Sequence, residues 1–362
     1  MALRDVFTAR AIAAAWDNYK ASLGLAPYLG RSFFGTQKKI GLDLAWITGE
    51  DGMPVALKGA NFDANAPLRD GIGFTKIEQG MPFFRESIMV SEQDEQDYMT
   101  FEDANPEMAR QILARIMKNP LGLIQGADVV PERMIWQLLA PADGIPKIVV
   151  TVDGGNTYTV NYTADNGVAY KAKNYSSLSG NALWSAAATA TPIADIQAMI
   201  EKHQTNYGVG LGTIIMNQAT WKQFVNADDT KKQVLGILGY QNGVMVRDND
   251  VKAFMLSNYG VNILVYNKLY VNESAQTVPF VPNGVVVGIA AGTTTLGNVW
   301  YGTTPEERSG DQSIGNFALV NTGVGVYTYT TPHPVNTHSV VSEIVLPSYE
   351  RMNSVAIMKV TA

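Results

Sequence analysis

The chain of 362 residues contains no cysteine, which excludes disulfides, thiolate metal sites and cysteine nucleophiles. Charge is scarce too. Asp, Glu, Lys and Arg make up 17% of the residues, where ordinary soluble domains carry roughly a quarter. The apolar share, 46%, is ordinary, so Gly, Asn, Thr, Ser and Tyr stand where charge is missing. Two readings fit: a surface largely covered by other subunits, because interface cores are depleted of charge, or an exported β-rich surface protein. The net charge of -6 shows none of the basic excess of a nucleic-acid reader. No apolar run approaches the roughly twenty residues of a membrane span. Arg4, Asp5 and Arg10 interrupt the first residues, and 11–16 is too short for the apolar core of a signal peptide. The expectation is a protein that stays where it is made, long enough for two modest domains.

What is present is organised around residues 103–140, the longest run of strong helix formers. Asn105 suits the N-cap, Pro106 the first helical position, and Glu107 the positive end of the helix dipole. Met108, Ile112, Leu113 and Ile116 share one predicted face. Asn119-Pro120 predicts a break, because the residue before proline avoids the helical region. A second piece from Pro131 carries Met134, Ile135, Leu138 and Leu139. The expectation is a long interrupted helix lying across sheets.

In chain order, residues 1–20 predict an amphipathic helix with Leu3, Phe7, Ala11, Ala15 and Tyr19 on its stripe, docked on its own core or reaching a neighbour as an arm. Alternation of Ile40, Leu42, Leu44 and Trp46 predicts a half-buried strand from Lys39. Residues 53–73 are rich in Gly, Asn, Asp and Pro, and strands return at 73–78 and 83–90. A hairpin that long with so little apolar material at its tip is not stable alone, and its expected support is another subunit. Residues 91–97 form an acidic run with Ser91 as helix cap, lacking the glycine and spacing of a calcium loop. A meander of three strands is expected at 148–152, 157–162 and 168–171, turning at Asp153-Gly154-Gly155-Asn156. Thr191-Pro192 opens a helix carrying Ile193, Ile196, Met199, Ile200 and His203. Residues 190–320 then alternate as a mixed α/β unit, with strands at 213–216, 261–266 and 285–289 and helices at 218–225 and 251–258. The last forty residues return to long strands.

Little here resembles an active site. The glycines at 207–212 precede a strand, whereas a dinucleotide fingerprint follows one. His333 and His338 are kept off a common helix by Pro334, and His203 ends a helix elsewhere. A zinc site needs three or more converging ligands. Glu306 and Glu307 are an acid pair with no assignable cleft. No nucleophile elbow, zincin or phosphate-loop sequence occurs. No catalytic, cofactor-binding or metal-binding residue is assigned, no cofactor is expected, and the chain is not expected to be an enzyme.

One ordered series of residues says more. Asn258-Tyr-Gly-Val-Asn-Ile-Leu-Val-Tyr-Asn is followed by Val278-Pro-Phe-Val-Pro-Asn-Gly-Val-Val-Val-Gly and Trp300-Tyr-Gly-Thr-Thr-Pro-Glu-Glu. Pro332-His-Pro-Val, Leu346-Pro-Ser-Tyr-Glu-Arg-Met-Asn-Ser-Val and Met358-Lys-Val close it. Asp5-Val-Phe-Thr, Ser32-Phe-Phe, Lys39-Ile-Gly-Leu-Asp-Leu and Pro82-Phe-Phe-Arg-Glu-Ser-Ile agree at the front. Together they resemble the tailed-bacteriophage major capsid proteins of the lambda major head protein (protein E) family.

The resemblance implies an α+β chain of the Hong Kong 97-like fold: an N-terminal arm (1–38), an extended β-hairpin loop (39–90), a peripheral domain with a spine helix (91–190), an axial domain (191–319), and return strands of the peripheral domain (320–362). It implies hexamers and pentamers forming an icosahedral head around double-stranded DNA, located in the virion and assembled in the host bacterial cytoplasm. Implied partners are further copies of itself, a portal protein, a scaffolding protein and the enclosed DNA through weak non-specific contact, with no membrane; the resemblance leaves a decoration protein open. About 38 residues before the loop are too few for a built-in scaffolding domain, so the scaffold is expected as a separate protein. Lys58 and Asn353 have the residue types of the Lys–Asn isopeptide known in this fold, with nothing else marking them. An encapsulin-like compartment shell and an exported surface-layer or adhesin protein are the rival readings.

Overall fold

A computed structural model describes residues 7–23, 26–49, 74–151, 157–163, 167–236, 246–309, 315–333 and 335–362. Helix α1 (Ala9–Ser22) and a 3-10 turn (Gly30–Phe33) lead into β1 (Phe34–Lys38), β2 (Asp43–Gly49), β3 (Phe74–Gly80) and β4 (Phe83–Val90). Helices α2 (Glu92–Ala104) and α3 (Pro106–Leu139) follow, then β5 (Lys147–Thr151), β6 (Thr157–Asn161), α4 (Val168–Asn174) and β7 (Tyr175–Ser177). Next come α5 (Pro192–Tyr207), β8 (Leu211–Met216), α6 (Gln218–Asn226), α7 (Asp228–Leu235), α8 (Asp248–Tyr259), β9 (Asn262–Val265), β10 (Leu269–Val271) and β11 (Thr277–Pro279). The order closes with β12 (Val285–Ala290), β13 (Gly297–Tyr301), α9 (Pro305–Ser309), β14 (Asn316–Val320), β15 (Val324–Pro332), β16 (Val335–Pro347) and β17 (Val355–Lys359). The described residues fall into two compact units. One draws on 1–45, 78–134 and 298–348, the other on 46–77, 135–297 and 349–362.

The first unit is built on β16. Its residues 339–347 are all buried, the continuous run of a strand covered on both faces. β15 pairs with it antiparallel from Val324↔Glu343 to Pro332↔Val335. β4 pairs with residues 337–344, and β13 takes over at 345–347. β14 extends the sheet beyond β15, and β1 beyond β13. Phe7, Ile12 and Trp16 pack with Tyr98 of α2, with Ala109, Ile116, Leu121 and Ile124 of α3, and with Val320, Val324, Val326 and Val341 of the sheet. Helix α1 is therefore docked within its own unit, the first of its two readings. Ile12 and Trp16 make the buried contact, while Ala11, Ala15 and Tyr19 of the expected stripe are only half-buried.

Helix α3 corrects the expected interruption. It runs unbroken for 34 residues with Pro120 and Pro131 inside it. Each interior proline costs about 3 kcal/mol. Burial of Ile116, Leu121, Ile124 and Met134 opposes that cost, at about 1.5–3 kcal/mol for each large side chain. Both prolines are buried and lie close to three turns apart, so both losses fall on one face. Met108 is exposed, and Ala109 takes the buried place. The strand expected from Lys39 begins only at Asp43. Gly41 turns the chain at a φ of 109°, leaving Ile40 90% exposed, while Leu44 and Trp46 are buried as expected.

The second unit holds a five-stranded sheet in the order β7-β17-β12-β8-β9. All six residues of β12 are buried. Helices α5, α6 and α8 cover the sheet with Ile193, Ile196, Met199, Trp221, Phe224, Val251 and Met255. The sequence grouped β17 with the final strands of the other sheet, but it pairs here with β12, from Val285↔Lys359 to Ile289↔Val355. Its apolar run suits a central strand of either sheet, so periodicity does not choose between them. Two further differences have local causes. Residues 168–174 form a helix rather than a third meander strand, because Ala and Lys favour helix after the left-handed Gly167. Helix α7 has too few apolar residues to show a stripe. The turn at 153–156 and the loop tip at 50–73 lie outside the described residues. At the last turn of α3, the Gln137 amide donates to Val149 O (3.3 Å) and accepts from Val149 N–H (3.2 Å), imitating a neighbouring strand for β5.

A buried polar knot fixes the turn before β12. Asn217 caps α6 by accepting from Thr220 N–H (2.9 Å) and from the Thr220 hydroxyl (2.8 Å). Its amide donates to Val281 O (3.0 Å) and to the Asn283 side chain, and Gly284 N–H donates to Thr220 Oγ1 (2.9 Å). All four hydrogen-bonding positions of Asn217 are used. Asn217→Ala is expected to cost about 2–4 kcal/mol in denaturant unfolding, from a lost cap plus unpaired buried groups. Asn217→Asp, which keeps the cap but sets a carboxylate against Val281 O, is expected to destabilise at least as much. Tolerance of Asp would reduce the residue to a simple cap.

Candidate functional site

The residues that carried the resemblance turn out to be fasteners. Thr304 Oγ1 accepts from Glu307 N–H (3.3 Å) and caps α9. Glu307 then pairs with Lys38 at the end of β1, and Glu306 with Arg85 of β4 (3.2 Å) and the Ser342 hydroxyl of β16 (3.1 Å). The acid pair thus joins three strands. Ser348 accepts from Asn298 N–H (3.1 Å) and Trp300 Nε1–H (3.2 Å). Gly260 closes α8 at a φ of 67°.

The residues weighed for chemistry are occupied structurally. His203 is buried, with Val209 O 2.6 Å from Nδ1 and Asn353 O 3.0 Å from Nε2, so neither ring nitrogen is open to a metal. His338 stacks on Tyr329 with centroids 4.9 Å apart, and His333 lies in the turn between β15 and β16. Among the described residues no three His, Asp or Glu converge on a metal position. The glycine run at 207–212 ends α5, with Gly208 at a φ of 76°, and Gly210 O accepts from Ala291 N–H (2.9 Å). The acidic run starts α2: Ser91 Oγ accepts from Asp94 N–H (3.2 Å), and Asp94 meets Arg115 at 3.0 Å. Asn353 accepts from the Tyr207 hydroxyl (3.2 Å), and Lys58 lies outside the described residues.

Sequence reading missed a buried cluster of charge in the first unit. Asp128 and Glu132 sit one turn apart on the buried face of α3. Glu132 accepts from the main-chain N–H groups of Gly30 (2.9 Å) and Arg31 (3.1 Å). The Arg31 guanidinium meets Asp128 Oδ1 at 3.3 Å and donates to Asp128 O, with the Tyr28 ring 5.2 Å away. Lys20 reaches Asp128 at 3.9 Å from a more exposed position. Two carboxylates thereby clamp the turn that feeds β1 onto the long helix. Two acids at i and i+4 among apolar residues were the available signal.

Glu343 adds a third acid. It lies within β16, 1% exposed, and neither carboxyl oxygen has a hydrogen-bond partner. Burial pushes its carboxyl well above the usual range; Arg31 opposes this and Asp128 adds to it. Burial likewise raises the Tyr301 phenol, against the pull of Arg31.

Residues 8–360 match the family described as phage major capsid protein E. Among solved structures, a protein described as a prophage capsid protein of Escherichia coli CFT073 is similar at 13% identity and a TM-score of 0.56, over 100% of this chain and 99% of that one. A phage-related protein from Bordetella bronchiseptica RB50 matches at 11% identity and a TM-score of 0.50, over 94% of each chain. The capsid asymmetric unit of cyanophage A-1(L) matches at 12% and 0.48, over 92% of each. At their identities the likeness to the first two is one of fold. Among curated protein sequences none matches the chain.

The raised Glu343 carboxyl has a definite sign. Its contribution to stability is complete below the ordinary carboxyl range and is lost as pH rises through the folded value. Melting temperatures between about pH 5 and about pH 9 should fall more steeply for the unsubstituted chain than for Glu343→Gln, which keeps shape without the titration. Parallel curves would show that Glu343 is ionised or solvated in the folded chain.

Proposed function

The chain belongs to the phage major capsid protein E family, structural rather than enzymatic proteins of the tailed-phage head, and on that premise we propose how it builds one. Subunits close into hexamers and pentamers, and these into an icosahedral shell around double-stranded DNA. The observation that carries this reading is the family match over residues 8–360, on a chain whose fold is that of a prophage capsid protein. The loop at about 39–90 reaches across to a neighbouring subunit. The sheet built on β16 forms the peripheral part, and the five-stranded sheet, β17 included, the axial part. A separate scaffolding protein and a portal protein complete the particle, which is assembled in the bacterial cytoplasm.

The physics of a shell supports this division of labour. Head-to-tail contacts between copies close into rings when the rotation allows. Each contact can be weak, because a subunit engaged by several neighbours sees them at high effective concentration. Low charge suits a container whose contents must move, since a basic inner wall would hold phosphates by counterion release.

Sedimentation of the purified chain with electron microscopy of the heaviest fraction is expected to show rings, tubes or shells. Deleting residues 50–72, which joins Gly49 to Gly73, is expected to leave a folded subunit with an unchanged circular dichroism spectrum that fails to assemble. Normal shells from the deletion would show that the loop is not a bridge. Regular closed shells from the chain alone would remove the need for a scaffold.

A further inference from the structure

Between Ala253 and Gly297 the only charged residues are Lys268 and Glu273. Much of this stretch is nonetheless at the surface. Leu256 is 57% exposed, Leu269 55% and Val271 64%. Large apolar side chains on a charge-poor surface mark the core of an interaction site.

These residues form two patches. In α8, Ala253, Leu256 and Ser257 are exposed on the side away from the buried Val251 and Met255. In the β10–β11 hairpin, Leu269 and Val271 alternate with Tyr270, whose ring packs on Phe280 at 4.8 Å. They therefore share the opposite face, with Pro279 and Thr277 as their cross-strand partners. A two-stranded ribbon is marginal by itself, and a partner on its outer face would stabilise it.

Strand register separates the two patches. β8 and β9 run parallel, Thr213 beside Asn262 and Met216 beside Val265. Helix α8 enters β9 at its first residue through Gly260, and Val209, also exposed, precedes β8 at that same end. The hairpin leaves β9 after its last residue and returns into β12, where Val287 pairs with Ile215. The two patches thus lie at opposite ends of one sheet and do not meet within a subunit. A second copy placed head to tail brings them together, the heterologous contact that closes into rings. Each patch has a single neighbouring lysine, Lys252 and Lys268, where nucleic acid or an anionic membrane requires a cluster of basic groups.

We propose that the Leu269/Val271 face of the hairpin docks on the Leu256 face of α8 in a neighbouring copy of this chain. The inference rests on the head-forming reading and names a contact that would build its rings.

The cysteine-free chain makes the test clean. Single variants Leu256→Cys and Val271→Cys are mixed and mildly oxidised, on assembled particles or, where none form, on concentrated subunit. A disulfide requires Cα atoms within about 7 Å. The expected product on a non-reducing denaturing gel is a mixed 256–271 dimer, and the double variant should give a ladder. Self-linked dimers alone, or no cross-link, would overturn the contact. Leu269→Asp with Val271→Asp, and separately Leu256→Asp, should give folded chains with unchanged melting that do not assemble; normal assembly by either would also overturn it. Failure of the unsubstituted chain to assemble, even beside its scaffold, would instead count against the head-forming reading.

Discussion

Both edges of β16 are hydrogen-bonded and its residues 339–347 are buried, and the first unit depends on that condition. A strand covered on every side must satisfy its backbone wholly by pairing, because no water reaches it. It therefore fixes the register of β15, β4 and β13 together. An acid in such a strand is costly, and Glu343 is held there beside the cluster in which Asp128 and Glu132 anchor the turn before β1. The buried charges are better understood as setting where that turn sits than as a source of stability.

Several of the short sequence blocks that carried the resemblance sit at joints between elements. Thr304, Glu306 and Glu307 tie β1, β4 and β16; Ser348 ties β13 to the end of β16; Asn217, Asn283 and Gly284 tie a helix cap to the turn before β12. Such positions need particular donors, acceptors or positive φ, whereas an apolar position tolerates several side chains. Polar ligatures thus hold the subunit's geometry, and its low charge leaves broad faces free of the desolvation cost that charges impose on association.

Local signals were legible in the sequence. Ser91 and Thr191-Pro192 placed the starts of α2 and α5, Gly260 the end of α8, and the strands expected at 83–90 and 261–266 are β4 and β9. Partners were not legible. β17 reads as a strand but carries nothing that selects β12, because pairing between distant segments is decided by the whole fold. Pro120 reads as a breaker because the packing that offsets it comes from α1, α2 and the sheet. The acid cluster was half legible: Asp128 and Glu132 keep helical spacing, but Arg31 and Glu343 are brought to them only by tertiary structure.

The chain order of these strands bears on how the protein is made. β4 and β15 must wait for β16 and its late residues, and β7 and β12 for β17. As the chain leaves the ribosome, the first sheet lacks a strand until residue 347 has emerged, and the second until residue 359. A product terminated before residue 335 lacks the strand that joins the first sheet and the one that flanks β12 in the second. Folding of both sheets is thereby tied to the synthesis of β16 and β17.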